Sequence, residues 1–250
     1  KHFFPQDKVL KKQYITAGAV CGVMLAISVN FQQFGISAYP AGAAAEARSG
    51  FITALYVVFV PLLSFFFGKK VSPVIWASVA VAVVGFYMLC LSGGIRGIYT
   101  ADILVFICAF CFAGQIISVD KFVGLTGGVK LSVMQFTVAG ALSAVFAVIF
   151  ERPTMENIIA AAPQILYLGI VSSGVGYTLQ IVGQKYAEPS VASLSMSLES
   201  VFAALGGWLI SGNTLSVREF IGCALVFAAI VVAQIPEMTG KTRKQSASEQ

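Results

Sequence analysis

Four stretches of this 250-residue chain, 49–68, 71–95, 131–150 and 157–184, contain no Asp, Glu, Lys, Arg or His. A helix rises about 1.5 Å per residue, so about 20 such residues cross the hydrocarbon core of a bilayer. In water, all four runs would have to be buried at once with almost no polar faces to cover them. A bilayer removes that demand. Composition agrees, since 58% of the residues are hydrophobic and 11% charged, against about 25% charged in a soluble domain.

Apolar runs between polar breaks predict eight helices, at 14–35, 49–67, 72–92, 102–119, 131–150, 158–182, 190–210 and 218–235. The breaks carry turn chemistry: Gly68-Lys69-Lys70, Ser92-Gly93-Gly94, the Gly-rich 124–128, Glu151-Arg152-Pro153, Glu188-Pro189 and Ser211-Gly212-Asn213. With eight spans, alternate breaks lie on opposite sides of the membrane. One set (the N-terminal lead, 69–70, 121–130, Lys185 and the C-terminal tail) holds 12 of the 16 basic residues. The other holds Arg48, Arg96, Arg152 and Arg218. By the positive-inside rule the first set is cytoplasmic, with both termini of the chain. Basic residues dispersed over one membrane face account for the net charge of +5 without a nucleic-acid partner. The polar lead 1–12 reads as a cytoplasmic lead-in rather than a signal peptide, because the apolar stretch after it is long enough to span.

The five cysteines, Cys21, Cys90, Cys108, Cys111 and Cys223, all fall in apolar segments, where Cys behaves as a small hydrophobe. Cys108-Ala-Phe-Cys111 matches a C-x-x-C pattern, but no basic residue nearby stabilises a thiolate, so packing is the expected role. Catalytic and nucleotide signatures are missing: the only histidine is His2, and there is no H-E-x-x-H, Walker A or G-x-G-x-x-G loop. The sequence calls for no cofactor and no metal.

Two stretches lie over one another when gaps are allowed. Phe31-Gln32-Gln33-Phe34-Gly35 falls on Leu179-Gln180-Ile181-Val182-Gly183, and the segment Val57 to Leu63 falls near Met196 to Phe202. Each is followed by a break ending in Val71-Ser72 or Leu215-Ser216, then by an Ala/Val-rich helix. Five spans separate the copies, an odd number, so they are inverted in the membrane, and inverted repeats commonly meet at a midplane binding site.

The run Phe51-Ile-Thr-Ala-Leu-Tyr-Val-Val-Phe-Val-Pro-Leu-Leu63 and the run Ser172-Ser-Gly-Val-Gly-Tyr-Thr-Leu-Gln-Ile-Val-Gly-Gln184, followed by Val191-Ala-Ser and Leu198-Glu-Ser-Val-Phe202, resemble EamA-domain proteins of the drug/metabolite transporter superfamily. The resemblance covers about residues 11 to 236. It implies an all-α integral membrane bundle of ten helices in two inverted repeats. This chain supplies eight: residues 1–95 form a first repeat of three helices, 101–236 a second of five, and 237–250 a cytoplasmic tail. Two further helices ahead of Lys1 are therefore expected in the natural protein. Where the family often has Gly-Glu between the last two helices, this chain has Gly212-Asn213, which removes an argument from an acid there.

Among candidate site residues, Glu199 lies near the centre of the 190–210 run, where a carboxylate is costly unless it faces a cavity or a partner. It is either a proton- or cation-coupling group or a structural hydrogen-bond acceptor. Its helix also carries Ser193, Ser197 and Ser200 at helical spacing, and Ser195 one turn before Glu199. In the 158–182 run, Ser173, Tyr177, Gln180 and Gln184 form a polar stripe. Asn30, Gln33 and Ser37 share a face in the first copy, and Gln32 is the repeat counterpart of Gln180. Thr53 and Tyr56 precede Pro61, which frees a carbonyl in its helix. These groups line a cavity or serve as interhelical contacts. Gln115 is a lesser pore candidate, more naturally a packing contact. Gly18-x-x-x-Gly22 predicts close helix approach, and Glu46 with Arg48 a surface ion pair.

The reading is a secondary, non-ATP transporter, not an enzyme, that exports a small metabolite or amino-acid-like solute by alternating access around a midplane cavity. Its substrate and coupling residues are Glu199, Gln180, Tyr177, Gln32, Gln33, Asn30, Tyr56 and Ser197. Its partners are the lipid bilayer, a small-molecule substrate and protons, and the resemblance implies the bacterial inner membrane. A membrane-embedded enzyme and a solute-binding or sensing protein without net transport are the rival readings.

Overall fold

The computed structural model describes residues 8–40, 45–90, 99–151, 153–202 and 216–238, and every regular element among them is helical. These are α1 (Lys8–Ser37), α2 (Ala45–Ala54), α3 (Tyr56–Phe66), α4 (Pro73–Cys90), α5 (Thr100–Thr126), α6 (Gly128–Phe146) continued as a π-helical turn Ala147–Glu151, α7 (Met155–Ala160), α8 (Ala162–Tyr167), a π-helical segment Leu168–Tyr177, α9 (Thr178–Gln184), α10 (Pro189–Met196) and α11 (Val217–Met238).

Among the described residues five helical segments are long and apolar enough to cross a membrane: Gln13–Ser37, Arg48–Phe66, Thr100–Thr126, Gly128–Glu151 and Ala162–Gln184. They correspond to the expected spans at 14–35, 49–67, 102–119, 131–150 and 158–182. The 72–92 span is represented by the shorter apolar helix Pro73–Met88, and the 218–235 span lies within α11. The 190–210 span is helical in α10 and again at 198–202. Its remainder, the Gly212-Asn213 break and the tail lie outside the described residues.

Helix starts follow local chemistry. Pro73 and Pro189 occupy the first helical positions of α4 and α10, where a missing N–H costs nothing. The Ser72 hydroxyl accepts from the Val74 N–H at 3.3 Å ahead of α4. Ahead of α11 a full capping box forms: Glu219 Oε2 accepts from the Ser216 N–H at 2.8 Å, and the Ser216 hydroxyl accepts from the Glu219 N–H at 3.3 Å. The two breaks aligned by sequence, 71–72 and 215–216, thus both end in a serine that caps the helix after it.

The expectation of continuous spans needs correction at several points. The 49–67 helix is interrupted at Leu55, whose N–H bonds back three residues to Ile52 (3.1 Å) and whose carbonyl takes the N–H groups of both Val58 and Phe59. The 190–210 helix is interrupted at Ser197, where the N–H is shared between the Ser193 and Leu194 carbonyls, each at 3.2 Å. The 158–182 helix breaks at Ala161, two residues before Pro163, which has no N–H to donate back along the helix. It then widens into i→i+5 bonding over Leu168–Tyr177, a segment containing Gly169, Gly174 and Gly176, where helix propensity is low. The α-helical spacing of Ser173 with Tyr177 is lost in that wider turn.

The chain divides into two compact units that cut across the linear repeats. One comprises α1 as far as Asn30 together with Gly114–Ala187. Its core is Ala17, Cys21, Val119, Val123, Leu131 and Ile181, with Phe122 against it. The Gly18/Gly22 expectation holds here. A Cβ on Gly18 would lie 2.5 Å from Met134 Cβ, and one on Gly22 2.6 Å from Val138 Cβ, so only glycine permits this approach of α1 to α6. At one end of this unit the Lys130 ammonium sits 5.7 Å from the Tyr14 ring, which brings together the starts of α1 and α6, two segments from the basic set of breaks.

The other unit comprises Phe31–Ala113 and the residues from Glu188 onward. Within it α4 packs along α11, with Gly85 close to the Gly222 carbonyl and to Val226. The two helices run antiparallel, because Tyr87 near the end of α4 meets Arg218 near the start of α11, the guanidinium 5.1 Å from the ring. α3 packs on α10, Phe59 of α3 meets Phe106 and Phe110 of α5 edge-on, and α2 leans on α4 through Phe51 and Tyr87.

Candidate functional site

The polar side chains of the second unit gather at two levels along its helices. At one end, Arg48 in the first turn of α2 and Asp102 in the first turn of α5 form a two-pronged ion pair, Nε to Oδ1 at 3.2 Å and Nη2 to Oδ2 at 2.6 Å. Both residues are buried, at 7% and 9% exposure. The Tyr39 hydroxyl donates to Asp102 Oδ1 at 2.6 Å, and the Tyr99 N–H donates to Oδ2 at 2.8 Å. The last contact is the reach of a helix's third residue back to its N-cap, and the positive end of α5 favours the carboxylate there. The Arg48 guanidinium lies 4.8 Å from the Tyr99 ring, and Tyr39 meets Tyr99 edge-on. Burial and the neighbouring carboxylate push the Tyr39 phenol above its ordinary range, so it stays a donor to Asp102. The expectation of a surface ion pair between Glu46 and Arg48 is therefore wrong on the arginine's side: a planar guanidinium fits a buried carboxylate two-pronged.

Deeper in the same unit, the Gln32 amide donates to Thr53 Oγ1 at 3.3 Å, joining α1 to the last turn of α2. Tyr56, buried, sits one residue past the Leu55 interruption, whereas Gln33 is exposed. On α10 the Ser193 and Ser197 hydroxyls donate to the carbonyls three residues back, Ser190 at 2.9 Å and Leu194 at 2.5 Å. Ser197 therefore keeps acceptor capacity but no free proton. Glu199 follows two residues after the Ser197 interruption and is exposed. A carboxylate at mid-span depth requires water or a polar partner.

In the first unit, Asn30 donates to the Ala26 carbonyl at 2.7 Å and to Ser143 Oγ at 2.9 Å, tying α1 to α6. Gln115 of α5 and Gln135 of α6 are fully buried, with Gln115 Nε2 donating to Gln135 Oε1 at 3.3 Å, while Gln115 Oε1 and Gln135 Nε2 lack a partner. Tyr177, at the end of the π-helical segment, stacks edge-on with Phe136. Gln180 is partly buried, with its Nε2 lacking a hydrogen-bond partner. That orphan donor is costly in an apolar surrounding.

The structure thus brings Gln32 and Tyr56 to the same interruption, places Ser197 and Glu199 at the other, and places Asn30, Tyr177 and Gln180 in the first unit. Sequence reading missed Asp102, Tyr39, Tyr99 and Gln135. The signal for Asp102 was an acid three positions into an apolar helix with an aromatic at the N-cap. No group of three or more His, Cys, Asp or Glu able to hold a metal occurs among the described residues.

Comparison with known proteins follows the same line. Residues 99–234 match the EamA-like transporter family. Over 219 residues, 87% of this chain and 68% of the relative, the sequence is 29% identical to an uncharacterized transporter of Archaeoglobus fulgidus. A solved crystal structure 17% identical in sequence superimposes with a TM-score of 0.67, covering 91% of this chain and 88% of its own, a likeness of fold.

Proposed function

Because the chain belongs to the EamA-like transporter family, we propose that it is a secondary transporter, working without ATP, that exports a small metabolite or amino-acid-like solute by alternating access. The observation that carries this reading is the pair of helix interruptions, at Leu55 and Ser197, each flanked by polar side chains. Discontinuous helices near the bilayer midplane are where transporters of inverted-repeat architecture commonly build their solute sites. In the second unit Gln32 and Tyr56 flank one interruption, Ser197 and Glu199 the other, and the exposed Gln33 beside Gln32 on α1 belongs to the same proposed set. Asn30, Tyr177 and Gln180 are the residues proposed in the first unit. Amides and a phenol suit the polar head of an amphipathic solute, and Glu199 suits a proton or an ammonium group.

In this reading 1–95 and 101–236 are the two repeats, 237–250 is a cytoplasmic tail, and the membrane is the bacterial inner membrane. The 12 basic residues on one set of breaks support the orientation. Substrate-dependent flux in sealed proteoliposomes is the test. Binding without flux would make the protein a sensor, chemical conversion of the solute would make it an enzyme, and either would refute the proposal.

A further inference from the structure

α2 is a ten-residue helix joined to α3 through Leu55, which keeps right-handed helical backbone angles (φ −62°, ψ −12°) but bonds back three residues instead of four. Its two ends hold different partners. Near its start, Arg48 is clamped to Asp102 and lies against the Tyr99 ring. Near its end, Thr53 is bonded to Gln32, with Tyr56 just past the interruption. Five residues separate Arg48 from Thr53, about 7.5 Å along a helix. α2 therefore connects a buried ionic cluster at one end of the helices to the polar pair Gln32–Thr53 one to two helical turns further in. The Leu55 N–H bonds to Ile52, and Pro61 removes one more backbone bond from α3, which makes the junction the weak point of the span.

We propose that α2 is a gate pivoting at Leu55, and that Arg48, Asp102, Tyr39 and Tyr99 form the latch that holds it closed at the external end of the pathway. The proposal rests on the transporter reading for the word pathway and on the structure for the latch. Asp102 explains why the latch is reversible. The Tyr99 N–H and the positive end of α5 belong to its own helix and stay with it when α2 leaves. Arg48 is the contact that releases, while the Tyr39 hydroxyl, just past the end of α1, stays on Asp102. Burying an ion pair costs both partners their hydration, so letting water in returns much of what is lost by separating them. A solute that displaces the weak 3.3 Å bond between Gln32 and Thr53 acts on the same ten-residue lever. Hinge closure of this kind needs only a few element-terminal residues to absorb the change.

The test is access from outside. Ala54 is buried at 4% exposure beside the pivot, so a single cysteine at Ala54→Cys, with the five native cysteines replaced, reports opening to a membrane-impermeant maleimide applied to intact cells. Arg48→Gln and Asp102→Asn should each raise the labelling rate about tenfold. The exchange Arg48→Asp with Asp102→Arg should bring it back at least halfway. Tyr39→Phe and Arg48→Lys, which preserve shape, should give intermediate rates. Unchanged rates in properly inserted variants would overturn the latch. So would failure of all five variants to insert, since the cluster would then be a staple of the fold. Labelling is read without any flux: faster labelling in a protein that transports nothing leaves the latch standing and removes the transporter reading, whereas normal flux with unresponsive labelling does the reverse.

Discussion

Replacing Gly22 by alanine tests how closely α1 and α6 must approach. The added Cβ would sit 2.6 Å from Val138 Cβ, 2.8 Å from the Gln135 carbonyl oxygen and 2.9 Å from Val138 Cγ1. Carbon atoms settle at about 3.5–4.0 Å, so the helices must part by about 1 Å at this point. Eight residues further along α1, the bond from Asn30 Nδ2 to Ser143 Oγ is 2.9 Å long. The same displacement takes it past hydrogen-bonding distance. Over-packing of a tight contact costs about 1–3 kcal/mol, and an interhelical hydrogen bond in a membrane contributes about 0.6 kcal/mol. Alanine recovers up to about 1 kcal/mol of helix propensity, leaving a net loss of about 0.6–2.6 kcal/mol. The assay is the folded fraction during SDS titration of the protein in mixed micelles. Gly140→Ala, on α6 with nothing within 4 Å of the new Cβ, is the control and should stabilise by up to about 1 kcal/mol through helix propensity alone. Val138→Gly, combined with Gly22→Ala, should restore part of the loss, because the Gln135 carbonyl contact remains. Equal midpoints for Gly22→Ala and Gly140→Ala would refute the close-packing argument.

Other outcomes follow from the same geometry. Glu199→Gln should abolish flux driven by an imposed pH gradient while sparing substrate binding; pH-dependent flux at the normal level in this variant would remove the coupling role and leave Glu199 a hydrogen-bond acceptor. Gln32→Leu and Thr53→Val, combined in a double-mutant cycle, should show a coupling of about 0.6 kcal/mol in stability, and strict additivity would mean that the 3.3 Å contact contributes nothing. Single cysteines at Lys70 and Arg218 should label from opposite faces of the membrane, and labelling of position 70 from outside intact cells would overturn the orientation.

What the sequence made legible was the part of the fold that rests on solvent and on small-residue packing. Uncharged runs locate the spans because lipid excludes charge, and Gly18 and Gly22 announce their contact because few other features allow backbones so close. The polar candidates divide differently. Gln32, Asn30 and Ser197 each proved to have a bonding partner, but a polar residue on an apolar helix does not say which helix will face it. Thus Asn30 pairs with Ser143, over a hundred positions away in sequence, while Ser197 turns back to its own backbone. Asp102 was passed over because an acid at the start of an apolar run reads as the edge of the membrane, and its partner Arg48 read as the edge of another. Two edges on the same side of a bilayer can meet, and the alternation of breaks already put Arg48 and the start of the 102–119 run on one side.

The interruptions at Leu55 and Ser197 were not legible, and the reason bears on function. Neither residue is a proline or a glycine, so neither breaks a helix by its own chemistry. At Ser197 the hydroxyl bonds the Leu194 carbonyl at 2.5 Å and its N–H is divided between two carbonyls; side-chain bonding back to the helix bends it without forbidding it. At Leu55 the local i−3 bond replaces an i−4 bond, a change small enough for packing to reverse. Interruptions imposed by tertiary contacts, and not by a fixed φ as at a proline, are ones that a moving helix can gain or lose. If Leu55 is such a pivot, Leu55→Ala should preserve the latch and its labelling rate, because it leaves Arg48 and Asp102 untouched while removing side-chain packing that helps to impose the interruption. It should slow the tenfold opening seen in Arg48→Gln when the two are combined, because a continuous helix carries α2 and α3 as one rod. A double variant that opens as readily as Arg48→Gln alone would place the pivot elsewhere, with Pro61 the next position to examine.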